Sequence, residues 1–284
     1  MDDASTTSSS PLPPAVAPPV PPPVPPPVPA PHSTVPYGAD PAQVYDVRLP
    51  RGKARTATVV VVHGGFWRER YDRAHAAPMA QAFADDGFAV AVLEYRRVGM
   101  PGGGWPGTCD DVREALRAVA ADDVLPGPVV AVGHSAGGHL VGWLASQAAD
   151  EAAATRLAGV VGLGGCVDLT LTATLNLGDG AAQAFMGGDP GELPERYAEA
   201  DPALLVPPSV PVHLVHGAAD DVVDLAVSQS YVRAAAAAGA QVPLTVIPGG
   251  DHDGVIEPGH PDFALVLEVV RAMAVGPDGL ERAP

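Results

Sequence analysis

From residue 57 onward, short apolar runs dominated by valine alternate with alanine-rich stretches of helical spacing, and this alternation leaves few architectures open. A strand buried on both faces reads as an unbroken apolar run, and two parallel strands need a crossover of a dozen or more residues, usually a helix. The runs 57–62, 88–94, 128–133, 159–164, 211–216 and 242–248 fit such strands. Stretches 74–86, 110–121, 138–147, 226–238 and 261–274 fit the helices between and after them, and 44–49 fits an antiparallel edge strand ahead of them. The expected class is therefore α/β: a doubly wound, mostly parallel sheet with helices on both faces.

Two stretches depart from the alternation. From residue 11 to about 36, proline recurs every one to three residues with valine and alanine between, a composition that favours polyproline II and builds no hydrogen-bonded core. Residues 1–36 are thus expected to be a disordered tail, a solvated spacer rather than a docking segment, with the folded domain over 37–284. Residues 167–208, rich in Gly, Pro and Asp, are long for a connection between strands and are expected to form an insertion above the sheet edge.

The 284 residues, 47% of them hydrophobic, suffice for a large core. A formal charge of -17, from 33 acidic and 16 basic residues, opposes binding to nucleic acid or to an anionic membrane. Cys109 and Cys166 are too few for a disulfide framework or a zinc site and are expected as free thiols. The start Met1-Asp2-Asp3-Ala4-Ser5 lacks the basic and apolar parts of a secretory signal, and no apolar stretch spans a bilayer, so the expectation is a cytoplasmic protein.

Chemistry enters where the strand 128–133 runs into Gly133-His134-Ser135-Ala136-Gly137-Gly138 and then a helix. A serine on so sharp a strand-to-helix turn adopts a strained backbone, and glycines two residues before and after it remove the clash that side chains would cause. The turn lifts the Ser135 hydroxyl out at the carboxyl end of a central strand and aims the Ala136 N–H at a reacting carbonyl. A second oxyanion source fits the loop after the valine run: His63-Gly64-Gly65-Phe66-Trp67, with the amides of Gly65 and Phe66 as donors and Gly64 giving room.

Position decides among nine histidines. His252, in Gly249-Gly250-Asp251-His252-Asp253-Gly254 after the last expected strand, is the candidate base. His63, His134 and His216 stand beside glycines at strand ends and are expected to orient loops. An orienting carboxylate should fall between serine and histidine, after a strand of the same sheet edge. Gly217-Ala218-Ala219-Asp220-Asp221-Val222-Val223-Asp224 offers Asp220 first, Asp221 as its rival and Asp224 behind.

Together these segments, with Glu94-Tyr95-Arg96-Arg97, resemble the α/β-hydrolase fold enzymes, and more closely the esterase and kynurenine formamidase-like branch related to hormone-sensitive lipases. The resemblance runs from about residue 37 to 275. It implies that Asp220, four positions after the histidine of His-Gly, is the triad acid. It also implies that Gly187-Gly188-Asp189-Pro190 and Pro194-Glu195-Arg196-Tyr197 belong to a segment carried over the active site. Two positions depart from that pattern: Asp253 and Gly254 follow His252 where an aromatic residue is common, and Asp224 stands where a proline is common.

The expected function is serine hydrolysis of a small-molecule ester or amide through an acyl-enzyme on Ser135, esterase-like or arylformamidase-like, with neither metal nor organic cofactor. Phe66, Trp67 and Trp105 either line the pocket for an aromatic or acyl group or pack beneath the loop. Arg68, Arg96 and Arg97 either pair a substrate carboxylate or bind the chain's own acids. A serine peptidase of the same fold is the runner-up. A non-catalytic module on this fold conflicts with the presence of all three triad residues, and a metal site from Asp251, His252 and Asp253 asks adjacent residues to converge on one ion.

Overall fold

The computed structural model describes residues 28–275, and all statements below concern these. Eight strands form one sheet in the order β1-β2-β4-β3-β5-β6-β7-β8. They are β1 (Ser33–Pro36), β2 (Val44–Arg48), β3 (Thr58–Val62), β4 (Ala89–Leu93), β5 (Val129–His134), β6 (Leu157–Leu163), β7 (Val212–Gly217) and β8 (Leu244–Ile247). From β4 across to β8 all pairings are parallel, while β1 and β2 join antiparallel.

The helices are α1 (Ala77–Asp85), α2 (Gly107–Ala121), α3 (Ala136–Ala145), α4 (Ala149–Ala154), α5 (Leu169–Thr174), α6 (Ala181–Met186), α7 (Pro194–Ala200), α8 (Leu225–Ala237) and α9 (Pro261–Val275). Because strand side chains alternate, each apolar run feeds two cores. Val59, Val61, Val90, Val92, Val130 and Val132 face α1 and α9 with Phe83, Phe263 and Val266. Val60, Val62, Ala91, Leu93 and Ala131 face α2, α3 and α8 with Val112, Leu140 and Tyr231. Because β3 to β8 run parallel, the loops that follow β3, β5, β7 and β8 all lie at one edge of the sheet.

Two expectations need correction. Ser33–Pro36 belongs to the sheet and not to a disordered tail: its register is set against β2, with Thr34 opposite Asp46 and Val35 opposite Tyr45. An edge strand pairs on one side only, so it tolerates the prolines around it. It follows that β2 is the second strand and not the edge. The remainder of the proline-rich stretch, residues 1–27, lies outside the described residues. The insertion expected over 167–208 carries α5, α6 and α7, and it is fastened to α3: His139 Nε2 lies 3.0 Å from the Ala200 carbonyl and Trp143 Nε1 donates to that of Glu199 at 3.1 Å.

Candidate active site

β5 delivers Ser135, which turns the chain into α3 with φ 56° and ψ −118°. A residue with a side chain holds such a conformation only where its surroundings enforce it. Here a Cβ on Gly133 would fall on the Gly137 carbonyl, and one on Gly137 would fall on those of Val62 and His63, so the elbow closes only with glycine at both places. Ser135 lines a pocket of about 210 Å³ together with Gly65, Phe66, His134 and His252. Ala136 opens α3, so its N–H lacks an intrahelical acceptor, and it donates to no group among the described residues.

The imidazole of His252 points its Nδ1 at Asp220 Oδ2, 2.7 Å away. Burial pushes the Asp220 carboxyl up, but the hydrogen bonds from His216 and His252, the charge of His252 and the Val223 amide outweigh it and hold the group well below the usual carboxylate range. Its Oδ1 accepts from the N–H groups of Val222 and Val223 at 2.9 and 2.8 Å, and His216 Nε2 stands 3.3 Å from Oδ2. An ionised carboxylate can only accept, so the proton between the pair sits on His252 Nδ1, and Nε2 is left as an acceptor. Gly164, at the end of β6 with φ 49°, makes room for this pair: a Cβ there would lie 3.0 Å from Asp220 Oδ2 and 3.1 Å from His252 Nδ1.

The loop after β3 is fixed from beneath. His63 is fully buried, and burial lowers its pKa to about 3, so the ring is neutral. Its Nδ1 lies 2.8 Å from the Gly64 carbonyl, its face stacks on Tyr95 at 4.4 Å, and Tyr95 Oη donates to the His63 carbonyl at 2.7 Å. Glu94, clamped by Arg97, sits 3.1 Å from Nε2. In a trans peptide the carbonyl and the following N–H point opposite ways, so anchoring the Gly64 carbonyl on His63 turns the Gly65 N–H away from that ring. Neither the Gly65 nor the Phe66 amide donates to a group among the described residues. A Cβ on Gly64 would come within 3.0 Å of Ser135 Cβ, which explains glycine there.

A sequence profile matches residues 45–234, well over half of the chain, and the profile is that of BD-FAE. The chain belongs to the BD-FAE family. Its fold is the α/β-hydrolase fold. It resembles a truncated carbohydrate esterase from gut microbiota with a TM-score of 0.72 at 22% identity, over 85% of this chain and 95% of that one. Esterase B of Lactobacillus rhamnosis, in a structure described as inhibited by a tributyrin phosphonate, aligns with a TM-score of 0.68 at 22% identity over 86% of each chain. A thermophilic esterase of the Planctomycetes species Thermogutta terrifontis aligns with a TM-score of 0.66 at 20% identity, over 86% of this chain and 91% of that one. No curated protein matches the chain by sequence.

In this BD-FAE member Ser135, Asp220, His252, Ala136, Gly64, Gly65 and Phe66 gather at one sheet edge. Two of the three aromatic candidates do not line the pocket. Trp67 is fully buried, stacked on Phe185 at 4.9 Å with its Nε1 donating to His139 Nδ1. Trp105 packs edge-on to Trp143 at 6.1 Å. Asp221 is exposed, and Asp224 caps α8 by accepting from the Ala226 N–H at 2.8 Å. Asp251 shapes the His252 loop by accepting from the Gly254 N–H at 2.8 Å. Among the described residues no group of three or more His, Cys, Asp or Glu side chains is placed to hold a metal ion. Tyr71, His75 and Val222 line the pocket without having been proposed for it, as does Asp253, which had been noted only as a departure from the family pattern and in the rival metal site. Their only sequence signal is adjacency to the motifs.

Proposed function

We propose that this protein is a serine hydrolase that cleaves carboxylic esters through an acyl-enzyme on Ser135. The observation that carries the reading is the opening of one pocket onto both the Ser135 elbow and the His252 ring whose Nδ1 is committed to Asp220. His252 Nε2 takes the hydroxyl proton as Ser135 Oγ attacks the carbonyl, and Asp220 holds the imidazole tautomer and stabilises the cation that forms. The amides of Ala136, Gly65 and Phe66 receive the oxyanion. His252 then returns the proton to the leaving alcohol, and water, activated by the same ring, releases the acid.

The likeness to esterases supports the ester as the substrate bond. The arylformamide reading has less behind it, since neither fully buried Trp67 nor half-buried Trp105, which packs against Trp143, lines the pocket. Labelling with a fluorophosphonate probe tests the nucleophile: the unaltered protein should label and Ser135→Ala should not, and label retained in the variant would refute the assignment. A panel of p-nitrophenyl esters beside N-formylkynurenine tests the bond cleaved, with the esters expected to be turned over faster.

A further inference from the structure

Two cavities meet at His75 and Asp253. The first is the pocket of about 210 Å³ that holds Ser135 and His252. The second, of about 410 Å³, is lined by Pro78, Ile256, Glu257 and Pro258 in addition to the shared pair. No lysine or arginine is among the residues lining either. Asp253 and Glu257 are exposed, and their carboxylates have no hydrogen-bond or ion-pair partner among the described residues.

Three of the arginines near the site are committed elsewhere, and a fourth, Arg70, is exposed and lies over the Tyr71 ring at 4.8 Å. Arg97 is clamped on Glu94, and Arg96 binds Asp111 through Nε at 2.8 Å and Nη2 at 2.6 Å. Arg68 donates to the carbonyls of Gly178 and Asp179. Burial of the His75 ring lowers its pKa from the ordinary value, against the charge of Asp253, which raises it.

Geometry says which part of a substrate meets this negative edge. The oxyanion amides lie on the Gly65 side of Ser135, whereas the leaving alcohol must stand by His252, which hands it a proton. Asp253 is the next residue and forms the rim between the two cavities. An alcohol moiety too large for the first cavity extends past Asp253 into the second.

We infer that Asp253 sets the charge class of the substrate: the site takes esters of neutral or cationic alcohols, with the bulk of the alcohol in the outer cavity, and rejects alcohols that carry a carboxylate. This assignment rests on the serine-esterase reading above.

The test compares 5-acetoxy-2-nitrobenzoate, which bears a carboxylate on the leaving group, with its neutral methyl ester, in the unaltered protein, Asp253→Asn and Asp253→Lys at low ionic strength. The unaltered protein should favour the neutral ester by about tenfold in kcat/KM, a difference of about 1.4 kcal/mol. The ratio should narrow in Asp253→Asn, reverse in Asp253→Lys, and shrink as salt screens the pair. Intrinsic reactivity cancels when the ratio is compared across variants. A ratio that Asp253 does not move would overturn the charge assignment while leaving Ser135 as nucleophile. Failure of the unaltered protein to cleave either ester would overturn the esterase reading, and the assignment with it.

Discussion

His134 Nε2 lies 2.9 Å from the backbone carbonyl of His252, which ties the residue just before Ser135 to the main chain of the proposed base. The two rings also pack at 4.4 Å. Burial, reinforced by the neighbouring His252 charge, lowers the His134 pKa to about 3, so the ring stays neutral and donates through Nε2 alone. His134 is thus a positioning residue that couples elbow to base loop. His134→Ala should lower kcat by about 10- to 100-fold with KM nearly unchanged, the loss of one buried hydrogen bond that aligns the base. His134→Gln, which offers an amide N–H near the same point, should recover most of it. A drop in Tm with kcat intact in both variants would reduce His134 to a packing role.

The three neighbouring aspartates separate by what they touch. Asp220→Asn should lower kcat by about 10⁴, because an amide can donate to His252 Nδ1 and hold the wrong tautomer. Asp221→Asn, altering an exposed side chain, should leave kcat within about twofold. Asp224→Ala should lose about 1 kcal/mol of stability with the α8 cap and keep its activity. Steady-state kinetics with thermal unfolding on the three variants decides; an activity loss in Asp221→Asn equal to that in Asp220→Asn would reverse the assignment.

The valine runs were legible because burial on both sheet faces demands continuous apolar residues, and Ser135 because strand, elbow and helix are contiguous in the chain. β1 was missed because Ser33–Pro36 is short, mostly exposed and flanked by prolines, so its pairing with β2 leaves no local pattern. α4 was missed for a similar reason: of its six residues only Ala152 is buried. The choice among Asp220, Asp221 and Asp224 depends on which carboxylate turns toward a histidine 32 residues away. Trp67 was ambiguous because sequence places an aromatic residue in a loop without saying which side of the loop it faces. Asp253 stood out only as a departure from a family pattern, and its place on the rim between two cavities is a property of the fold.

Acid should weaken the fold through its buried histidines. His139 shows why: Nδ1 accepts from Trp67 and Nε2 donates to Ala200, so the neutral ring is satisfied and a second proton would face the indole N–H. Burial lowers the pKa of His63 and His134 to about 3 and that of His139 to about 4. Their folded values lie below the unfolded one, so this stability is present above about pH 6.5 and is lost as pH falls, by about 1.4 kcal/mol per unit for each ring. Asp201 works the other way, since burial and the nearby Asp168 raise its pKa to about 6 and its contribution fades as pH rises through that value. Three histidines against one aspartate leave a net loss, so Tm should fall from pH 7 to pH 5. His139→Leu should be less stable at pH 7 and show a shallower slope; a Tm that holds or climbs toward pH 5 would contradict the account.

The insertion reaches the loop proposed to hold the oxyanion at Gly178, in the segment between α5 and α6. A Cβ there would come within 2.7 Å of the Phe66 ring, and the Gly178 carbonyl is held by Arg68. Gly178 has φ 60°, so alanine at this position also carries backbone strain of about 1 kcal/mol. Gly239, with φ 85° and nothing within 4 Å of a new Cβ, isolates that strain, because alanine there strains the backbone and touches nothing. Gly178→Ala and Gly239→Ala should therefore lose similar stability from the backbone, but only Gly178→Ala should push Phe66 and its amide out of line, lowering kcat about tenfold on a short-chain ester. Equal activities in the two variants would mean that the insertion packs over Phe66 without setting the oxyanion loop.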